Sequence, residues 1–363
     1  MLYGQLGVSL CDKEKASPGY TLFSPSGEPD TYIINMSGDV VHQWDRGMPA
    51  GAYAYLLPNG HLLAANRTEE GQSLGPGGGL IREYDWDGTI LWEYTDHHQH
   101  HDFRRLSNGN TAYVGLEAMT EENRARVLGG IRDTEDEGGV IWTDYLKEVT
   151  PEGELVWEWH GQDDMVIEDY PICPLCSRKE QLHVNTVAED KNGNLMISSR
   201  HINHIGVIDK KTKKFAWEMS NLSLGHQHDF QELENGNYLV FSNGYHTDRG
   251  GPAAGSRIFE IDPETKDTVW EYAGSPPHTF YSGHISGCQR LWTGNTLICE
   301  GIGGRLFEVT PDKEVVWNYT SPYFRPKDAK GPGAGGNQVF RCYRYAPDSP
   351  EIGGRLNSDP YAT

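Results

Sequence analysis

Two short patterns of apolar and polar positions recur along the chain. In the first, an apolar strand runs into a turn rich in Asp, Gly, Pro or Lys, and a second apolar run ends in Trp. The copies close at Trp44, Trp92, Trp157, Trp217, Trp270 and Trp317, spaced 47 to 65 residues apart. In the second, two apolar strands flank an Asn-Gly-type turn: 55–65, 103–114, 184–198, 230–241 and 285–299. Asn-Gly accepts positive φ at both turn positions and so favours the twist of a hairpin. Period-2 alternation on either side of such turns predicts β-hairpins.

One hairpin of each kind makes a four-stranded unit, and six Trp copies predict six units. Repeats of this length that bury their faces only against neighbours are the mark of a β-propeller. The expected fold is therefore all-β, a six-bladed propeller in a single domain over 1–363. Its blades fall at about 18–46 plus 336–348, 50–95, 100–160, 183–220, 226–273 and 284–320. The first Trp copy has no Asn-Gly hairpin before it, and the strand-like run 338–345 has no Trp after it. Pairing the two closes one blade with strands from both chain ends and removes the exposed edges. Residues 121–137 carry the best signal for a short helix, inserted inside a blade.

Composition narrows the function. A net charge of −21 disfavours nucleic acid and anionic membranes as partners. No apolar run reaches the length of a membrane span. Residues 1–15 lack a basic n-region and a small-residue cleavage site, so the expected location is cytoplasmic, unless a leader lies outside this sequence. The six cysteines are too few for a disulfide framework. Cys173-Pro-Leu-Cys176 has zinc-like spacing but no second C-x-x-C follows, so a reduced pair, or a local disulfide after export, is expected ahead of a structural metal or redox role.

The fifteen histidines are distributed with the repeat. His101, His183, His228 and His284 each precede an Asn-Gly-type turn at the start of a blade's first strand, the strand that lines a propeller's channel. Strand alternation sets Asn185 on the face of His183, and His226 on that of His228, whereas Asp102 and Asp229 face away. Tyr53 lies near the same place in the preceding blade. Second strands return Arg67, Glu117, Arg200, His201, Asn243 and Glu300 toward that mouth. Such a ring suits nucleophilic or acid–base chemistry, or metal binding. No nucleophile elbow, P-loop, dinucleotide fingerprint or H-E-x-x-H helix is present.

The segments His101-Asp-Phe, His183-Val-Asn-Thr, Ser198-Ser-Arg200-His201 and Gln227-His228-Asp, followed by Ser242-Asn243-Gly, resemble the bacterial arylsulfotransferases over roughly 18–348. That resemblance implies transfer of a sulfuryl group from a phenolic sulfate ester to a phenol, without a nucleotide donor or a cofactor. It implies that His228 becomes sulfated, that His101 and His183 are further active-site histidines, and that Arg200 holds the sulfuryl group and keeps His228 neutral. Asn185, His201, Asn243, Tyr53, Arg67, Glu117, Glu300 and His284 would complete the site for an aromatic, anionic small molecule. The best-known members are exported and carry an additional N-terminal β-domain, which the residues given do not lead one to expect. A second reading has His101, His183, His228 and His284 holding one divalent metal ion in a lyase or hydrolase. A third is a propeller that binds a partner without catalysis. The loops 68–80, 118–140 and 160–180 are expected to roof the site.

Overall fold

The computed structural model describes residues 5–71, 74–75, 77–247, 254–329 and 333–362. It holds six antiparallel sheets of the blade type, as a six-bladed β-propeller requires, with three in each of two compact units. One unit comprises Met1–Glu69, Gly78–Thr95 and His284–Thr363, the other Glu70–Gly77 and Asp96–Gly283. Among the described residues no helix is long and apolar enough to cross a membrane.

In the first unit, one sheet runs in the order Val339–Tyr345, Tyr20–Pro25, Asp30–Ile34, Val40–Asp45. The C-terminal strand pairs with the first blade strand in the register Tyr20↔Tyr345 and Phe23↔Cys342. Both chain ends thus build one blade, as the repeat count predicts. The second sheet is Ala50–Leu56, Leu62–Arg67, Gly79–Tyr84, Ile90–Thr95. The third is Gly287–Arg290, Thr296–Glu300, Arg305–Val309, Val315–Thr320. Gly7–Cys11 adds a fifth strand on its outer edge, which the repeat did not foretell.

A buried ion pair anchors the C-terminal strand. Arg344 meets Glu308 with both side chains wholly buried, and its guanidinium lies 4.2 Å from the Trp317 ring centroid. Arg344 Nε also donates to Thr21 Oγ1 (3.0 Å), and Glu308 Oε1 accepts from Ser17 N (2.7 Å) and Asn295 Nδ2 (2.6 Å). The pair therefore links three strands and the segment before the first of them.

The second unit carries the site. Its sheets are Gln99–Arg105, Thr111–Ala118, Trp142–Val149, Leu155–His160; then Val184–Glu189, Leu195–Ser199, His204–Asp209, Lys214–Ser220; then His228–Glu232, Tyr238–Ser242, Arg257–Ile261, Thr268–Ala273. Turn glycines Gly109, Gly193 and Gly236 hold φ of 88°, 80° and 87°, which a side chain would resist. Apolar side chains of adjacent sheets interdigitate: Val114 and Leu146 of the first pack in one cluster with Val187 and Ile197 of the second. The expected helix is a single turn, Glu121–Arg124, whose N-cap Thr120 accepts from Asn123 N. Beyond it, Gly129–Ile131 pairs in parallel with Ile172–Ser177, part of a strap between the first and second sheets.

The repeat tryptophans are what tie sheet to sheet. Trp157 Nε1 donates to Lys210 O (2.8 Å) and Trp217 Nε1 to Pro263 O (2.8 Å), each in the outer turn of the next sheet. In the first unit Trp44 donates likewise to Asp85 O (2.9 Å) and Trp317 to Met36 O (3.0 Å).

Breaking one half of the Arg344–Glu308 pair strands the other charge in the interior. Arg344→Met should cost about 3–5 kcal/mol in urea unfolding, and Glu308→Gln in that background should recover part of it. A loss under 1 kcal/mol for the single variant would contradict this anchoring role.

Candidate functional site

Counting back from the turn glycines shows why the histidines cluster and corrects their assumed equivalence. His101 and His228 lie eight residues before Gly109 and Gly236, and Asn185 holds that position before Gly193. His183, His226 and His284 lie ten residues before theirs. Along a regular strand the two positions share a face. The pairing of first and second strands slips by a bulge in all three sheets of this unit, between Tyr113 and Gly115, Val184 and Thr186, and His228 and Gln231. Bulges re-aim side chains. His101 and His183 themselves take left-handed φ, 52° and 56°, a conformation that costs energy and is kept where surrounding structure demands it.

The rings meet in the interior. His101 and His183 centroids are 4.5 Å apart, and His183 stacks on His201 at 4.6 Å. His100 Nδ1 and His101 Nδ1 approach to 2.5 Å, and His100 Nε2 lies 3.0 Å from the buried Asp144. His183 Nδ1 is 2.6 Å from Glu180 Oε2, and His201 Nδ1 donates to Glu180 O (3.0 Å). Gly75 passes close above: a Cβ there would come within 2.6 Å of His101 and 3.4 Å of His183. The predicted roof loops do contribute, 68–80 through Gly75 and 160–180 through Glu180.

His228 is set by a relay that fixes its protons. Asn243 Nδ2 donates to Ser282 O (2.6 Å), a carbonyl that can only accept, so Asn243 turns its Oδ1 toward His228. That oxygen sits 2.7 Å from His228 Nδ1, which must therefore carry the hydrogen. In the neutral ring Nε2 is then the unprotonated nitrogen.

Burial sets the charge state of the cluster. It pushes His101 and His183 well below the usual imidazole range, helped by His100 for the first and by His101 for the second. It takes His201 down to about 3, with Arg200 adding to the effect. Glu180 is held well above the carboxylate range by burial and then by the charge of Asp144. Arg200 is lowered by burial too, and its guanidinium lies 5.7 Å from the Tyr245 ring centroid.

Other expected site residues have different surroundings. Asn185 Nδ2 donates to Gln227 O (2.8 Å) of the next sheet, tethering one first strand to another. Asp102 accepts from Val187 N (3.0 Å) in the same manner. Glu117 is not brought to the cluster: both its oxygens are 3.0 Å from His160 Nδ1 on the outer strand. In the other unit, Tyr53 is buried beneath the Arg341 guanidinium (4.6 Å), Arg67 and His284 are exposed, and Glu300 pairs with Arg305 (3.0 Å). Sequence reasoning missed Glu180, His100, Asp144, Tyr245 and His246. Glu180, three residues before His183, His100, next to His101, and Tyr245 and His246, just after Asn243, each offered a nearby signal; Asp144 did not.

Three groups of side chains could hold a metal among the described residues: Cys173, Cys176, His226 and His246; Glu180, His183 and His201; and His100, Asp144 and Glu180. His101 and His228, expected in a four-histidine metal set, belong to none of them.

The neutral rings make a prediction about pH. The unfolded chain protonates His101 and His183 near pH 6.5 while the fold resists it, so stability is full above that pH and falls as pH drops through it. The slope is about 1.4 kcal/mol per pH unit for each ring. Urea unfolding at several pH values below neutrality should show it, with a shallower slope in His101→Asn. Stability independent of pH in this range would contradict it.

Residues 54–322 match the model of the arylsulfotransferase (ASST) family, well over half of the chain. A protein of unknown function from Bacteroides caccae has a similar structure, with 15% identity, 90% of this chain and 98% of that chain covered, and a TM-score of 0.54. So does a streptogramin B lyase, with 13% identity, coverage of 94% and 93%, and a TM-score of 0.51. At such identities both likenesses concern the fold alone. No curated protein matches the chain. On the extent of the family match, this chain belongs to the arylsulfotransferase family.

Proposed function

We propose that this protein moves a sulfuryl group from an aryl sulfate ester to a phenol by way of a sulfated His228. The observation that carries the reading is the Ser282–Asn243–His228 relay, which holds the hydrogen on Nδ1 and so makes Nε2 the nucleophilic nitrogen of the ring. In the first half, His228 Nε2 bonds to sulfur as the S–O bond to the aryl group breaks. The departing phenolate takes a proton from His183, and Glu180, kept protonated by its burial, resupplies that proton through Nδ1. In the second half the acceptor phenol returns its proton to His183 as its oxygen takes the sulfuryl group from Nε2. Arg200 and the neighbouring imidazoles supply donors for the sulfuryl oxygens in flight.

Three variants test this. His228→Ala should abolish transfer. Arg200→Lys should lower kcat/KM by about 10²–10³, the usual cost of removing a fixed transition-state donor. Glu180→Gln should slow donors with poor phenolate leaving groups far more than those with good ones, in steady-state kinetics that show a ping-pong pattern. Full activity in His228→Ala, or an equal Glu180→Gln effect on all donors, would oppose the scheme.

A metal-assisted lyase or hydrolase is the second reading, favoured by the ligand atoms that Glu180, His183 and His201 place together. It expects bound metal that His183→Ala loses and activity that returns with added divalent ion.

A further inference from the structure

Cys173 and Cys176 have the spacing of half a zinc site, and the fold supplies the other half from far along the chain. Both thiols lie on the strap strand Ile172–Ser177. His226 sits just before His228–Glu232, and His246 just after Tyr238–Ser242. Cys176 Sγ is 3.6 Å from His226 Nε2 and 3.5 Å from His246 Nδ1, Cys173 Sγ is 3.7 Å from His246 Nδ1, and the two nitrogens are 3.1 Å apart. All four donor atoms lie within 4.8 Å of one another.

These separations suit a tetrahedral ion. Zinc bonds of about 2.3 Å to sulfur and about 2.0 Å to nitrogen put S and N about 3.5 Å apart, and two nitrogens about 3.3 Å apart, at the corners of a tetrahedron. The donor set of two thiols and two imidazoles, with no carboxylate, selects zinc over harder ions. Backbone conformation agrees: His226 and His246 both hold left-handed φ, 62° and 54°, which non-glycine residues keep only where the surroundings require it. His226 Nδ1 is buried without a hydrogen bond, so the ring is placed by its Nε2 side, which faces the thiols.

We propose that Cys173, Cys176, His226 and His246 bind one structural zinc ion, releasing a proton from each thiol, and that this ion fastens the strap to the sheet carrying His228. Four protein ligands close the coordination sphere, so the ion is held for structure and has no open position for substrate. Its consequence for the site is positional. The strap carries Glu180 a few residues on, and His246 stacks on Tyr245 (4.0 Å), the ring over which the Arg200 guanidinium lies. The four ligands are positioning residues, and the inference stands whatever reaction His228 performs.

Metal content decides it. Tag-free protein purified without chelator, or reloaded with zinc and dialysed, should hold about one equivalent per chain by mass spectrometry. Cys176→Ser and His246→Ala should lose it, while His101→Ala and His183→Ala keep it. Cobalt-loaded wild type should show thiolate-to-cobalt charge transfer and intense tetrahedral d–d bands. Because a ligand variant can fail to fold, wild type provides an independent check: thiol alkylation of Cys173 and Cys176 should be blocked in the loaded protein and open after chelation. Any of four results would overturn the proposal: no zinc after reloading, zinc kept by folded Cys176→Ser, zinc lost in His183→Ala, or a Cys173–Cys176 disulfide in freshly purified protein.

Discussion

The indole N–H of the repeat tryptophan, donated to a backbone carbonyl in the next sheet's outer turn, is the interaction on which the architecture depends. It is seen at Trp44, Trp157, Trp217 and Trp317. A four-stranded sheet alone leaves both faces wet. A large ring whose one polar atom has a fixed partner covers the face and sets the angle and height at which the neighbour docks. With those fixed, first strands stand side by side, and short tethers such as Asp102 to Val187 N and Asn185 to Gln227 O hold them in register. Histidines on separate strands can then be brought to 4.5 Å without any one strand building the site.

The same interaction explains why the fold was legible. Trp, Asn-Gly and apolar alternation are local signals, and each repeat restates them, so six blades and closure by both chain ends could be read from the residues alone. The fifth strand Gly7–Cys11 was not, because it adds to an edge after the repeat is complete and carries no Trp of its own. The histidine rows were half legible. Alternation puts them on one face, but by distance from the turn glycine His183 belongs with His226 and not with His101, a two-residue difference visible only by that count.

What the sequence hid is what long connections deliver. Glu180 and the two cysteines arrive on a strap between sheets, and no periodicity says where a strap will lie. His246 is 70 residues beyond Cys176, so the C-x-x-C pair read as an isolated motif until the strap and the sheet met. Burial supplies the remaining chemistry. The low basicity of His101 and His183 comes chiefly from desolvation, so it depends on Gly75 and the strap covering rings that a list of residue types would leave in water. Tyr53, Arg67, Glu300 and His284 have their own partners or exposure in the other unit, and convergence by repeat position alone does not assign them a role.

The central claim concerns one nitrogen atom. A fast-quench experiment with an aryl sulfate donor, stopped in alkali and read by peptide mass spectrometry, asks where the sulfuryl group rests between donor and acceptor. The account predicts an acid-labile sulfuryl adduct on the peptide bearing His228, formed with the first equivalent of released phenol and discharged by added acceptor. Turnover with no adduct, or an adduct on another side chain, would contradict it.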